Sequence, residues 1–433
     1  MYLRPAVFHN VVRVSGKRGV CGRLCEETLW LLGKQGLAEF DRAASEDLEL
    51  KSTVLHDAGL YLMASTKGRS QLLIDSGGQG GLTAGHGHAD ALSVTVQRDG
   101  RPLLIDSGTF AYVDVGSERD FFRGTRAHNT MTVDDTDQAD PKGPFSWGRL
   151  PKVQVERWIT GKSFDLFAGN HDGYGRFAQP VIHRRWVFSL KSRFYFIRDM
   201  AIGEGTHHLD LAWHFRPCLS KDQPAGTTFL DADGNGLTVI PLNDEKWSHD
   251  LREEHWSPAY GRSERLQVLH SRGTVSLPTE VATVLVPTAG NKAFSGRLTR
   301  IGASVGPSIQ HAYSFETPEE THRFFFSDGM GAWEAGRWSS DADFLYRGGS
   351  DADSRTLICA NASYVRFSGR EVLSSARPVS HCEAVCVGNQ FEVLPTDGDV
   401  RIGRECLGSI SQESESESRV IHLVETENAE KPL

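Results

Sequence analysis

Apolar and polar positions alternate in short runs along most of this chain. The runs include Leu60 to Ala64, Gln71 to Ile74, Leu92 to Val96, Leu103 to Ile105, Thr130 to Val133, Trp186 to Leu190, Phe194 to Ile197 and Leu209 to Phe215. Turn residues separate them, as at Arg98-Asp99-Gly100 and Asp233-Gly234-Asn235-Gly236. Short strands joined by tight turns predict a mainly β protein, a large antiparallel β-sandwich and not a parallel α/β fold. A helical period shows in one stretch: Arg23 to Phe40 places Leu24, Thr28, Leu31, Leu32 and Gly36 on one face. The pattern therefore divides the chain into a short helical segment and linker over 1–50 and a β-sandwich over 51–323. A further β segment follows over 324–410, with strands near Phe344, Thr356 and Phe391, and an acidic, Ser-rich tail over 411–433 reads as disordered.

Composition narrows the function classes. With 39% apolar residues in 433, the chain can build a sizeable core. No apolar run approaches the roughly 18 residues of a membrane-spanning helix. A formal charge of −9 argues against broad nucleic-acid binding, yet leaves room for a local basic cleft. The seven cysteines fit neither a disulfide scaffold nor a zinc-finger spacing. The opening MYLRPAVFHNVVRV lacks the apolar core of a secretory signal.

The chemistry concentrates between Gly85 and Trp147, which holds His86, His88 and His128 among several carboxylates. On a regular strand, His86, His88, Asp90, Leu92, Val94 and Val96 share one face, so the histidines extend an inward row. An inward His-x-His beside a carboxylate suits a divalent cation such as zinc. Two ligand sets are open on residue type alone: His88 with Asp106 and His128, or His86 or His88 with Asp90. A three-residue turn at Arg98-Asp99-Gly100 would set Asp106 about 13 Å from His88 along the ladder, unless a bulge near Asp90 shortens the path.

GHGHADAL, followed by LLIDSGTFAY, RGTRAHNT and GPFSW, resembles the heparinase II/III-like polysaccharide lyases. The runs HRRWVF, HHLDLAWHFRP and SPAYG extend the likeness over about residues 50 to 400. The resemblance implies an α/α toroid ahead of a β-sandwich region, and a cation, zinc by ligand type, held by His88, Asp106 and His128. It places His86 in the catalytic cleft and implies β-elimination on a uronic-acid-containing, acidic polysaccharide. That reaction needs a base, an acid and a neutraliser for the charge that develops on the uronate carboxylate. His86 suits neutralisation or proton transfer, Asn129 hydrogen bonding and Tyr112 proton donation, while Arg123 and Arg126 suit gripping carboxylate or sulfate. The resemblance also implies the periplasm or cell envelope. With one helical stretch and no toroid in the sequence, lyase activity is expected to be incomplete. The alternative is a non-catalytic, metal-containing β module that binds an acidic glycan.

Overall fold

The computed structural model of the chain describes residues 51–402, apart from 66–68, 82, 114–115, 218, 224–225, 291–293, 302–310, 329–330, 350–354, 388–389 and 395–399, together with residues 30, 33 and 34. Met1–Lys51 and Ser52–Leu433 form two compact units. In the first, Trp30, Gly33 and Lys34 are helical; the rest of the expected Arg23 to Phe40 helix lies outside the described residues, as does the tail over 411–433. No helix among the described residues is long and apolar enough to cross a membrane.

Among the described residues, the second unit is mainly β, built from antiparallel sheets of five, eight, four and ten strands. The eight-stranded sheet is the middle layer, with Thr279–Thr288, Phe194–Gly203, Val181–Leu190 and Phe164–Tyr174 side by side at its centre. Successive residues of a strand point to opposite faces, and here both faces are buried. Phe167, Val187, Ile197 and Leu285 pack with Met63, Leu72, Val94, Met131, Leu211 and Trp213 of the five- and four-stranded sheets. Leu166, Phe188, Phe196 and Val284 pack with Phe315, Phe324, Phe344 and Tyr346 of the ten-stranded sheet. Runs such as Trp186-Val187-Phe188 are continuously apolar because neither face meets water.

The ten-stranded sheet begins at Arg297–Ile301 and carries a third core on its far face, around Phe325, Trp333, Leu345, Cys359 and Leu373. Its strand Thr321–Phe326 runs through the boundary that the sequence pattern places between residues 323 and 324. The last layer is therefore laid down from near residue 297.

The structure departs from a regular strand over His86 to Val96. The strand is Val94–Arg98, and residues 85–93 turn ahead of it. Ser93 N–H donates to the Asp90 carbonyl at 2.9 Å, and Leu92 sits at φ 62°. A leucine in the left-handed region must be held there by its surroundings. Its side chain is fully buried, its N–H donates to Asp75 O at 2.7 Å, and its carbonyl accepts from Arg185 Nη1 at 2.6 Å. The next hairpin also differs from expectation. Asp99-Gly100 makes a two-residue turn with both φ positive, at 53° and 73°, and a bulge beyond it pairs Val96 with Leu104. Past Leu104 the chain leaves this sheet, and Ile105 N–H donates to His214 O at 2.9 Å. The long separation expected along a regular ladder therefore does not arise.

Candidate functional site

Three segments converge beside the four-stranded sheet: the turn over 86–90, Asp106, and His128 following the helix Glu118–Arg123. One ligand atom from each of His88, Asp90 and His128 lies within 4.8 Å of the other two. Asp106 enters through His128, whose Nδ1–H donates to Asp106 Oδ2 at 2.6 Å. The other carboxylate oxygen, Oδ1, accepts the Gly108 N–H at 2.8 Å. His128 is fully buried, and its Nε2 has no hydrogen-bond partner among the described residues. His88 Nε2 lies 3.4 Å from Thr109 Oγ1. The two arrangements left open by residue type thus meet at His128, with Asp90 on one side and Asp106 on the other.

The charges of this cluster set one another. Burial alone would lower His128, but the Asp106 carboxylate in contact, with Asp90 nearby, raises it to about 9. Against its own burial, Asp106 is held well below the usual carboxylate range by the same contact. Burial pushes Asp90 up to about 7 despite His128, with Asp75 and Asp106 adding to the rise. Burial, reinforced by the His128 charge, pushes His88 down to about 3. Two imidazoles and two carboxylates gathered at His128, whose Nε2 is buried without a partner, fit a divalent cation, and the nitrogen–oxygen donor mix is one that zinc takes.

The backbone of the site is closely pinned. Asn129 Nδ2 donates to Val94 O and Ile105 O, both at 2.8 Å, while its Oδ1 accepts the His214 N–H at 2.7 Å. Gln138 brackets Ala91, accepting its N–H at 2.9 Å and donating to its carbonyl at 3.1 Å. Arg185, fully buried on the eight-stranded sheet, donates to the Leu92 and Asn129 carbonyls at 2.6 and 2.7 Å. Its Nε is 2.7 Å from Asp199 Oδ1, which also holds His183 Nε2 at 2.7 Å. The glycines of GHGH serve close approach, since a Cβ at Gly87 would overlap the Gln79 carbonyl oxygen.

The open side of the site is aromatic. His86 is exposed and meets Tyr112 edge-on, with ring centroids 5.1 Å apart. Tyr112 also lies 5.7 Å from Tyr260, and Phe145 is 6.1 Å from His86. The Arg119 guanidinium sits 5.0 Å from the centre of the Tyr112 ring, and its Nη1 is buried without a partner.

Two residues expected to meet substrate have structural positions instead. Asn129 is buried, and its side-chain hydrogen bonds clamp three backbone segments. Arg123 is also fully buried: it holds Asp120 Oδ1 at 2.5 and 2.9 Å, donates to Gly143 O at 2.7 Å, and lies 4.3 Å from the centre of the Trp147 ring. The side chain of Arg126 is 51% exposed and pairs with Glu254 Oε1 at 2.5 Å. Arg119 and Tyr260 are not among the residues that type and spacing single out, whereas Asp90 belongs to the second of the two ligand sets open on residue type. Asp90 was legible as the carboxylate two residues after His88; Arg119 and Tyr260 carry no local signal, because only the fold brings them to Tyr112.

The described unit is thus mainly β and carries a His–Asp cluster together with an aromatic, imidazole-bearing face. A family profile described as "Heparinase II/III-like, C-terminal" matches residues 49–295, more than half the chain. The chain belongs to the heparinase II/III-like family. It is 26% identical over 247 residues to a heparin-sulfate lyase of Pedobacter heparinus, covering 54% of this chain and 33% of that protein. A heparin-sulfate lyase of Bacteroides thetaiotaomicron is 25% identical over 155 residues, 35% of this chain and 19% of that protein. Among solved structures, heparan sulfate lyase HepC from Pedobacter heparinus superposes with a TM-score of 0.56 at 18% identity, over 73% of this chain and 47% of that one. A heparinase III structure gives 0.56 at 14% identity, over 70% and 49%. At these identities the structural likeness shows the shared fold. The chain spans a third or less of the matched curated relatives' length and about half of the matched structures.

Proposed function

We propose that this chain is the β region of a polysaccharide lyase that acts by β-elimination on acidic, uronic-acid-containing glycans. The observation that carries the reading is the ring contact of exposed His86, two residues along the chain from His88 of the His88–Asp90–His128 cluster, with half-buried Tyr112. In this reading His88, Asp90, Asp106 and His128 hold one divalent cation, zinc by donor type. Bound there, the cation supplies a fixed positive charge that stiffens the floor of the cleft. His86 is positioned to donate to the uronate carboxylate as charge develops on it, and Tyr112 to exchange a proton with the sugar, while Arg119 beneath the Tyr112 ring favours negative charge there. Tyr260 and Phe145 give sugar rings an apolar edge, and the exposed guanidinium of Arg126 is a contact for carboxylate or sulfate.

With Asn129 and Arg123 committed to the backbone, the described residues bring few proton-transfer groups to the open face. Slow turnover is therefore expected of the isolated chain, since each positioned acid or base contributes on the order of 10²–10⁴-fold. The test follows the absorbance of the unsaturated product from heparan sulfate, hyaluronan, alginate and chondroitin sulfate. The reading expects slow product release from an acidic glycan, abolished by His86→Ala. Product release that His86→Ala leaves unchanged, or no recognition of any acidic glycan, would contradict it.

A further inference from the structure

The strand Val94–Arg98 leaves the His–Asp cluster and ends about 13 Å further on, at four steps of 3.3 Å. At that far end the five-, eight- and ten-stranded sheets meet around a cavity of about 460 Å³, within the usual range for small-molecule sites. Arg98 comes from the first sheet, Thr288 from the second, and Phe315 and His322 from the third. Phe294 and Phe315 form an aromatic wall, with centroids 6.1 Å apart and planes at 32°. His322 stacks on Phe315 at 5.6 Å and closes that wall.

Two polar side-chain atoms of the residues lining this cavity lack hydrogen-bond partners. Thr288 Oγ1 is buried without a partner, and so is Arg98 Nε, whose nearest acid is Asp99 Oδ2 at 3.5 Å. Arg98 otherwise donates from Nη1 to Pro287 O at 3.3 Å. The second cation, Arg193, pairs through Nη2 with Glu320, and its side chain remains 44% exposed. Buried polar atoms without partners are costly, and a ligand that reaches them removes that cost.

We propose that this cavity binds a small acidic saccharide, a mono- or disaccharide bearing a carboxylate or sulfate. Arg98 and Arg193 supply donors for the anion, the Phe294–Phe315 wall takes the C–H face of the sugar ring, and Thr288 and Glu319 meet hydroxyls. The anion and the apolar face follow from the lining alone. The choice of a sugar rests on the glycan reading above, whose cleavage products would have this size and charge.

The test is titration calorimetry on the whole chain with three probes: a glucuronate-containing disaccharide, a sulfated glucosamine, and neutral cellobiose. The two acidic probes arms separate carboxylate from sulfate as the anion. Binding of either acidic probe at least about tenfold tighter than cellobiose is expected, about one charge-assisted hydrogen bond. Arg193→Ala and the near-isosteric Thr288→Val each weaken it, the first by about tenfold, while His88→Ala leaves it unchanged. Added salt weakens it as well. Absence of acidic-sugar binding overturns the proposal, as does equal binding of cellobiose. Binding lost with His88→Ala but kept in Arg193→Ala overturns it too, placing the sugar at the metal-site cleft. Binding with the expected mutational pattern upholds it even where no β-elimination is detected, so its outcome is separate from that of the lyase reading.

Discussion

At the scale of single residues, position in the fold overrides chemical type. Asn129 and Arg123 have side chains suited to gripping a sugar acid, and both lie beside the histidines in sequence. Yet each is buried and bonded to backbone. Residue type and spacing reveal that polar groups gather here; they do not reveal which of them turn inward, because burial depends on segments far away in sequence such as His214. Asn129→Ala would leave the Val94 and Ile105 carbonyls and the His214 N–H without partners. At about 1–3 kcal/mol for each buried group left unpaired, the variant should lose at least about 3 kcal/mol of unfolding free energy. Arg126→Ala breaks one ion pair in which the arginine is half exposed and the buried Glu254 keeps His270, so it should cost less than Asn129→Ala. Urea titration of both variants checks this, and equal losses would contradict the structural role given to Asn129.

At the scale of elements, the site is made by a strand that fails to continue. Alternation from His86 to Val96 reads as one strand, but Leu92 at φ 62° and the Asp90–Ser93 turn fold the chain back, and this brings His88 and Asp90 to His128. A positive-φ leucine is invisible to a pattern of apolar and polar positions. Its cause is tertiary: Arg185 reaches from the eight-stranded sheet to the Leu92 and Asn129 carbonyls, anchored in turn by Asp199. Arg185→Met leaves Asp199 buried beside His183 with one partner fewer, and breaking such a buried pair costs about 3–5 kcal/mol. Arg185→Lys keeps the charge but not the fork of donors, so the turn loosens. Divalent-cation affinity should then drop about 10–100-fold, as for groups that orient metal ligands. Unchanged affinity in a folded Arg185→Lys protein would show that the turn holds without it.

At the scale of the whole molecule, the mainly β character was legible because strand period and turn residues repeat throughout. The layering was less so: a middle sheet buried on both faces shows no alternation to mark which residues belong to which core, and the ten-stranded sheet starts at Arg297–Ile301 with no break in texture. Stability of this assembly should depend on pH through histidines buried without charge. His171 is held well below its ordinary value of 6.5 by burial and by the neighbouring His183 and Arg185. His183 is lowered by burial in spite of Asp199, and burial with Arg193 and Arg347 pushes His322 down to about 3. Below pH 6.5 the unfolded chain takes up protons that these folded residues refuse. The stability they contribute is therefore present above about pH 6.5 and lost as pH falls toward their folded values, at up to about 1.4 kcal/mol per residue per pH unit. His270 is raised by Asp210 and Glu254 against its burial, so it is protonated in both states below pH 6.5 and adds no slope there. Unfolding free energy measured between about pH 6.5 and 4.5 should fall, less steeply than the histidines alone would make it, because Asp90 and Asp165, pushed up by burial to about 7 and about 6, take up protons in the folded chain over the same range. His322→Phe, which keeps the stack on Phe315, should flatten that fall, and an unchanged slope would contradict the assignment.

The proposed cation matters most, because a bound ion would make the His–Asp cluster a working centre and not a buried knot of charge. Elemental analysis of the purified chain, with His88→Ala, Asp90→Asn, Asp106→Asn and His128→Ala alongside, tests this directly. One divalent cation per chain, zinc by donor type, is predicted in the unmodified protein. It should be lost in His88→Ala and His128→Ala and held more weakly in each Asp→Asn variant, with a fall in melting temperature wherever it is lost. A chain that binds no divalent cation, or that keeps its full complement in His128→Ala, would contradict the account.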